Sequence, residues 1–312
     1  MQVLILETLP EEFKTKFEAI ENIDITYATR KTVTLEQLHN AEVIIGNPTL
    51  DQVNNCDNLK WLQLSSAGAN TYANLKKDFL LTNASGAYGI AISEYMLGCT
   101  LNGLKHFPEY FHQQSEKVWT DLGIVKTISD CTVLILGMGD IGSEYAKRMK
   151  LLGASKVIGV RRTLKNLPEY FDEQYTFSSM QEALEESDII ALALPETAET
   201  IHVLNKERLS SCKKGSMIIN VGRGSAIDTD ALITLCKEDH FSSVFLDVFE
   251  HEPIPKNSET WSVPHLYVTP HIAGKFNAQT TVNVAFNIFY TNLLHYLHNE
   301  TLENIVDRKL GY

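Results

Sequence analysis

Positive charge is in short supply in this 312-residue chain, where 27 Lys and Arg face 39 Asp and Glu for a formal net charge of −12. That sign argues against nucleic-acid and anionic-membrane partners, whose recognition needs clustered cations. Cysteine is scarce as well. The five present (Cys56, Cys99, Cys131, Cys212 and Cys236) are odd in number, and no two are closer than 24 residues. Without a C-x-x-C pair or zinc-ribbon spacing, neither a disulfide scaffold nor a metal site is expected, and reduced thiols point to the cytoplasm. No run of 18 apolar residues occurs, so no transmembrane helix is predicted. The opening MQVLILETLPEE lacks the basic segment and long apolar core of a signal peptide. Low-complexity segments and short repeats are also absent.

What is present is a chain of ordinary globular composition, 44% apolar and 21% charged, long enough for two domains. VLIL (3–6), DITYA (24–28), AEVIIG (41–46), LKWLQL (59–64) and FLLTN (79–83) each suit a strand. Their spacing of roughly 20 residues fits βα units building a parallel sheet. The pattern turns helical over 93–112, and a polar loop over 113–130 leads to a second series. Its six strands are TVLILG (132–137), KVIGV (156–160), DIIALAL (188–194), SMIINV (216–221), SSVFLDV (242–248) and HLYVTP (265–270). Strands apolar on both faces need helices on both sides, and six of them match the doubly wound dinucleotide fold. The tail 280–298 is helical, with an apolar stripe read as core packing.

Gly137, Gly139 and Gly142 form G-x-G-x-x-G between a strand and a helical pattern. Gly137 suits the tight turn, Gly139 the approach of a pyrophosphate, and Gly142 the closure of helix on strand. An NAD site usually has an acid at the end of the next strand to hold the ribose hydroxyls. Here the strand ends in Arg161, Arg162 and Thr163. Guanidinium groups can pair with a 2′-phosphate that a carboxylate would repel, so NADP(H) is favoured, with NAD(H) possible.

Three later segments each end a strand: INVGRGSAID (219–228), LDVFEHEPIP (246–255) and VTPHIAGK (268–275). Ligands of doubly wound sheets bind beyond the carboxyl ends of strands, so these loops can converge on one cleft. Arg223 offers a rigid donor fork for a carboxylate and a neighbouring carbonyl oxygen. His271 is the obvious proton donor near neutrality, and an adjacent acid would fix its tautomer. Spacing alone lets Glu252, Glu250 or His251 fill that supporting role. The set suits hydride transfer to a 2-keto acid.

These segments, with NASGAYGIAISEYMLG (83–98), VLILGMGDIGSEYAKRMKLLG (133–153), DIIALALPETAET (188–200) and NIVDRKLGY (304–312), resemble the D-isomer-specific 2-hydroxyacid dehydrogenases over essentially the whole chain. The resemblance implies a Rossmann NAD(P)-binding domain (99–283, with linking helices) inserted in a flavodoxin-like substrate domain made of 1–98 and 284–312. It assigns catalysis to Arg223, Glu252 and His271, choosing Glu252 over Glu250. It also implies that the backbone near Ala67, Gly68 and Ala69 holds the substrate carboxylate. The cofactor set becomes Gly137, Gly139, Asp140, Ile141, Gly142, Arg161, Arg162, Thr163, Leu194, Pro195, Thr200, Val221, Gly222, Arg223, Asp247, His271, Ala273 and Gly274. Asp247 resembles the acid near the nicotinamide carboxamide, and Leu194 and Pro195 the loop passing the cofactor.

Two features depart from the commonest family pattern. Arg161 stands where the NAD-type acid is usual, as in NADPH-using branches, and SSAGANTY (65–72) differs from frequent versions of the substrate loop. The resemblance implies reduction of a small anionic 2-keto acid, glyoxylate or hydroxypyruvate first, by a homodimer formed through the nucleotide domain. A short-type NAD-dependent D-2-hydroxyacid or phosphoglycerate dehydrogenase is the alternative. The long, regulated phosphoglycerate type is not expected, because no further domain follows Tyr312. A non-catalytic dinucleotide-binding regulator is a reading of another class, and the intact Arg223, Glu252 and His271 argue against it. A Tyr–Lys alcohol dehydrogenase is not expected, since no Y-x-x-x-K sits in the second half of the chain where it would be needed: Tyr145 is followed by Met149.

Overall fold

The structure, a computed structural model, describes residues 1–309 and Gly311. Leu310 and Tyr312, in the expected tail of the substrate domain, lie outside the described residues. The chain forms two compact units, Met1–Tyr88 with Phe276–Tyr312, and Gly89–Lys275. The first contains β1 (Gln2–Ile5), α1 (Glu11–Glu18), β2 (Asp24–Tyr27), α2 (Leu35–Asn40), β3 (Val43–Ile45), α3 (Leu50–Asn54), β4 (Trp61–Gln63), α4 (Asn70–Ala73) and β5 (Leu80–Thr82). Its five strands pair in parallel, in the order β2-β1-β3-β4-β5, the flavodoxin-like arrangement, and Thr82 of β5 adds an antiparallel bridge to Ile305. Helices α2 and α3 start on capping boxes, Thr34 with Gln37 and Thr49 with Gln52, each satisfying backbone donors at both ends of the turn.

The second unit begins with α5 (Gly89–Leu104) and α6 (Phe107–Glu116). Then come β6 (Thr132–Leu136), α7 (Asp140–Leu151), β7 (Lys156–Val160), β8 (Glu173–Tyr175), α8 (Gln181–Glu186), β9 (Ile189–Leu192) and α9 (Lys206–Ser211). β10 (Ser216–Asn220), α10 (Thr229–Lys237), β11 (Phe241–Leu246) and β12 (Leu266–Val268) complete it. The parallel sheet runs β12-β11-β10-β9-β6-β7-β8, so the winding reverses between β6 and β9, beside the glycine turn. Seven strands replace the expected six. The extra one, β8, is a three-residue, half-buried edge segment, EQY, with no apolar run to announce it. Strand residues such as Leu134, Ile158, Ile190 and Ile218 are fully buried on a sheet covered from both sides.

The chain then returns to the first unit with α11 (Gln279–Leu297). Its aromatic stripe is core. Phe286 meets Phe13 and Tyr290 meets Phe17 of α1, at ring-centroid distances of 5.3 and 5.6 Å. The buried Asn292 amide donates to Gln63 Oε1 at 2.8 Å. Each fully buried aromatic contributes roughly 1.5–3 kcal/mol, enough to make the tail part of this unit.

The unit boundaries fall after Tyr88 and Lys275, rather than after 98 and 283. The physical reason at the first is that α5 packs along α7. Thr100 and Tyr145 share a buried 2.6 Å hydroxyl–hydroxyl bond, and the Gly89 N–H donates to Asp140 Oδ2 at 2.8 Å. No helix among the described residues is long and apolar enough to cross a membrane, and they contain no cluster of His, Cys, Asp and Glu able to hold a metal.

Candidate active site

Every residue singled out in the second unit stands just beyond the carboxyl end of a strand or on the helix that follows. Gly137 adopts φ +107°, and a Cβ on Gly142 would overlap the Gly137 carbonyl oxygen, so the turn needs both glycines. Helix α7 starts there with no side-chain cap on its first turn. Such a turn presents backbone N–H groups and a positive dipole end to an anion. Asp140 is part of this turn, but its carboxylate is committed to the Gly89 N–H. Only its backbone, with that of Ile141 and Gly142, suits a phosphate. Arg161 follows β7 directly and is half-buried, while Arg162 and Thr163 are exposed.

Leu194 and Pro195 follow β9. The Thr200 hydroxyl donates to the Pro195 carbonyl at 2.7 Å, so this side chain shapes the loop. At the end of β10, the buried Asn220 accepts from the Gly222 N–H (3.1 Å) and donates to the Arg223 carbonyl (2.9 Å). Asn220 thereby fixes the turn that carries Arg223, a role that composition and spacing did not single out. Arg223 spends one Nη1 hydrogen on the Gly222 carbonyl (2.7 Å), and its five-donor fork keeps capacity for a carboxylate. Burial pulls its pKa below the usual guanidinium value, while Glu196 and Glu252 oppose the shift; a guanidinium remains cationic at neutral pH.

Asp247, 1% exposed, follows β11 and organises the next loop. Its Oδ1 accepts from the Thr269 hydroxyl (2.6 Å) and the Ile272 N–H (2.8 Å), and its Oδ2 from the Ala273 N–H (2.9 Å). Tyr95 stands behind Thr269, hydroxyl to hydroxyl at 2.6 Å. Between these anchors His271 holds φ +52°, a left-handed conformation that a non-glycine residue keeps only when its surroundings enforce it. His271 Nδ1 lies 2.7 Å from Glu252 Oε2, and Glu252 Oε1 accepts the Phe249 N–H at 2.9 Å. The three acids and bases that spacing could not separate now differ. Glu252 meets His271, Glu250 pairs with His202 at 2.7 Å, and His251 is exposed between them. The remaining residues of the cofactor set, Val221 and Gly222 after β10 and Ala273 and Gly274 after His271, line the same strand ends; the first three are buried.

In the first unit, the loop after β4 carries Ala67, Gly68 and Ala69. Its carbonyls point into protein donors: Asn83 Nδ2 to Ala67 (2.8 Å), Ser66 Oγ to Gly68 (2.8 Å), and the Tyr88 hydroxyl to Ser65. Ser65 Oγ also donates to Glu7 at 2.6 Å.

Comparison with known proteins gives these features a context. Residues 97–273 match the NAD binding domain of the D-isomer specific 2-hydroxyacid dehydrogenases. A D-3-phosphoglycerate dehydrogenase of Methanocaldococcus jannaschii is 26% identical across 98% of this chain and 59% of its own length. A glyoxylate reductase of Pyrococcus horikoshii is 34% identical across 57% of this chain and 52% of its own. The chain thus spans a little over half the length of the curated relatives it matches. Among solved structures, a D-isomer specific 2-hydroxyacid dehydrogenase family protein from Aeromonas salmonicida superposes with a TM-score of 0.88 at 28% identity, covering 98% of this chain and 99% of that one. A D-isomer specific 2-hydroxyacid dehydrogenase from Xanthobacter autotrophicus Py2, in complex with NADPH and MES, gives 0.85 at 25% identity, covering 100% and 99%. With the glycine turn, the strand-end loops and more than half of the sequence in agreement, the chain belongs to the D-isomer specific 2-hydroxyacid dehydrogenase family.

Proposed function

We propose that the protein is a reductase of small 2-keto acids that prefers NADPH and works reversibly on the D-2-hydroxy acid. The Glu252–His271 pair carries this reading: Glu252 follows β11, the neighbour of the strand that bears Arg223, and His271 follows β12, one strand further along. The residues fit a nicotinamide dinucleotide. The uncapped first turn of α7 suits its pyrophosphate, and Asp247 Oδ2 has lone-pair capacity left for a carboxamide N–H. When bound, the cofactor supplies or accepts a hydride equivalent.

The chain's own residues do the rest. Arg223 grips the substrate carboxylate and polarises the keto oxygen, a contribution that grows as negative charge develops there. In the first unit, the loop at Ala67, Gly68 and Ala69 offers its amide side to a carboxylate; its carbonyls bonded to Asn83 and Ser66 support this. With Nδ1 committed to Glu252, His271 presents Nε2 to that oxygen, donating a proton in reduction and taking it back in oxidation. Arg161 and Arg162 hold the 2′-phosphate that distinguishes NADPH from NADH. Glyoxylate or hydroxypyruvate is the proposed substrate, on the strength of relatives that carry the name glyoxylate reductase.

A panel of 2-keto acids assayed with each coenzyme tests this reading. Reduction of glyoxylate or hydroxypyruvate, faster with NADPH, is the expected result. Coenzyme binding without turnover of any keto acid would instead make the protein a dinucleotide-binding regulator.

The same family pattern implies a homodimer through the nucleotide-binding unit. Its exposed apolar side chains support one, with Trp119 101%, Ile124 96% and Leu151 90% exposed. A second copy of the chain would shield such groups from water. Five unpaired, buried cysteines accord with a cytoplasmic protein.

A further inference from the structure

Beside the His271–Glu252 pair, a second set of polar side chains fastens three loops together, and the chemistry proposed above makes no use of it. Glu250 Oε1 lies 2.7 Å from His202 Nε2, and Glu250 Oε2 accepts from the Thr229 hydroxyl. His202 is held at φ +48°, with its own amide donating to the Ser225 carbonyl at 2.7 Å. Ser225 follows Gly224, where a Cβ would overlap the backbone of Phe249. The loop after β9, the turn carrying Arg223 and the loop after β11 therefore meet at one point. Burial alone would raise the Glu250 carboxyl, yet its bonds from His202 and Thr229 hold it below its ordinary value. An ionised acid makes both contacts charge-assisted, about twice as strong as neutral ones.

The connection to the reacting groups runs through a single backbone amide. The Phe249 N–H, adjacent to Glu250, donates to Glu252 Oε1, and the other oxygen of Glu252 holds His271 Nδ1. Glu252 is itself exposed, so packing does little to limit its rotamers. Its aim depends on where residues 249 and 250 are pinned.

We propose that His202, Thr229 and Glu250 form a positioning clamp that sets the direction of Glu252 and, through it, of His271. Its effect on turnover rests on the reading of His271 as the proton donor; its effect on geometry does not.

The test compares His202→Ala and Thr229→Val with His202→Gln, whose side-chain amide can still donate to Glu250, all in the full chain with coenzyme. The two disruptive variants should lose about 10-fold in kcat, while coenzyme Kd stays within about twofold of the parent. His202→Gln should recover most of that loss. Crystal structures of the same proteins give a readout independent of activity. Glu252 and His271 should separate beyond hydrogen-bond distance in the disruptive variants and stay joined in His202→Gln. The pair intact in His202→Ala and Thr229→Val would overturn the clamp. So would equal losses in the Ala and Gln variants accompanied by weakened coenzyme binding, the mark of general loop damage. If the parent reduces no 2-keto acid, the functional reading fails while the crystal structures still decide the clamp.

Discussion

Glu252 divides its two oxygens between a backbone amide and an imidazole ring: Oε1 takes the Phe249 N–H at 2.9 Å and Oε2 meets His271 Nδ1 at 2.7 Å. A carboxylate held at both ends cannot rotate away from the imidazole, so one tautomer is enforced and Nε2 is the nitrogen left to exchange a proton.

His271→Ala should therefore lower kcat by about 10²–10⁴-fold, the usual worth of a positioned general acid. Coenzyme Kd, measured by fluorescence titration, should stay close to the parent's. Glu252→Gln should cost less, about 10–100-fold, because the amide keeps a hydrogen bond to the ring but loses the charge that stabilises imidazolium. Turnover of His271→Ala undiminished across the pH range would remove the residue from proton transfer.

Arg161 sits at the end of β7, where the family's NAD-using members usually carry an acid. On the proposed reading, Arg161→Asp exchanges an attraction for the 2′-phosphate for a repulsion. The ratio of kcat/KM with NADPH to kcat/KM with NADH should fall by at least about 10–100-fold, the range expected from a charge-assisted hydrogen bond. An unchanged ratio would place the phosphate elsewhere.

Asp247 accepts three hydrogen bonds from the loop that carries His271. Asp247→Ala leaves the buried Ala273 amide and the part-buried Ile272 amide without an acceptor, at about 1–3 kcal/mol for the buried one. The expected result is a lower melting temperature together with a kcat loss, since the left-handed backbone of His271 loses its anchor. Calorimetry and steady-state assays on the same preparation would reveal the two together. A variant with full activity would show that the loop holds its shape without Asp247.

Asp188 is a stability element with a defined pH signature. Its Oδ1 takes Lys126 and Lys213, each at 2.8 Å, and its Oδ2 takes the Thr132 N–H at 3.0 Å. Burial raises the carboxyl, but these partners outweigh it and leave the folded-state pKa below the ordinary Asp value. A depressed acid contributes stability that is present above its unfolded pKa and lost as pH falls through the folded one. Asp188→Asn should thus lower stability by about 1–3 kcal/mol at neutral pH, the lysines being half-exposed. The difference in melting temperature from the parent should shrink as pH drops below about 4. A difference that holds constant into acid would assign the loss to packing.

Strands and motif positions were legible because their signals are local. The apolar runs at 132–137, 156–160 and 216–221 are strands flanked by the expected turns, and Gly137, Gly139 and Gly142 open α7. β8 was not legible: Glu173, Gln174 and Tyr175 are recruited by pairing with β7 at a half-buried edge, where no apolar pattern is required. Asp140 reads as a cofactor residue from its place in the glycine motif, yet its side chain is spent on Gly89, 51 residues away. Asn220 acts on the backbone of its own turn, which composition does not single out, while Thr200, named by resemblance for the cofactor, spends its hydroxyl on the Pro195 carbonyl.

The amino-acid sequence by itself determined the α/β class, the two parallel series of strands, the glycine turn and the identities of the strand-end residues. Periodicity, turn chemistry and burial are properties of short windows, so they are written in the order of the letters. Family resemblance had already named Glu252 as the partner of His271, but tertiary structure alone decided that Glu250 turns to His202, that Asp247 shapes the loop, and where the second unit begins. Those choices depend on distances between residues tens of positions apart. Only the assembled sheet, with its strand ends side by side, brings them to within the reach of a hydrogen bond.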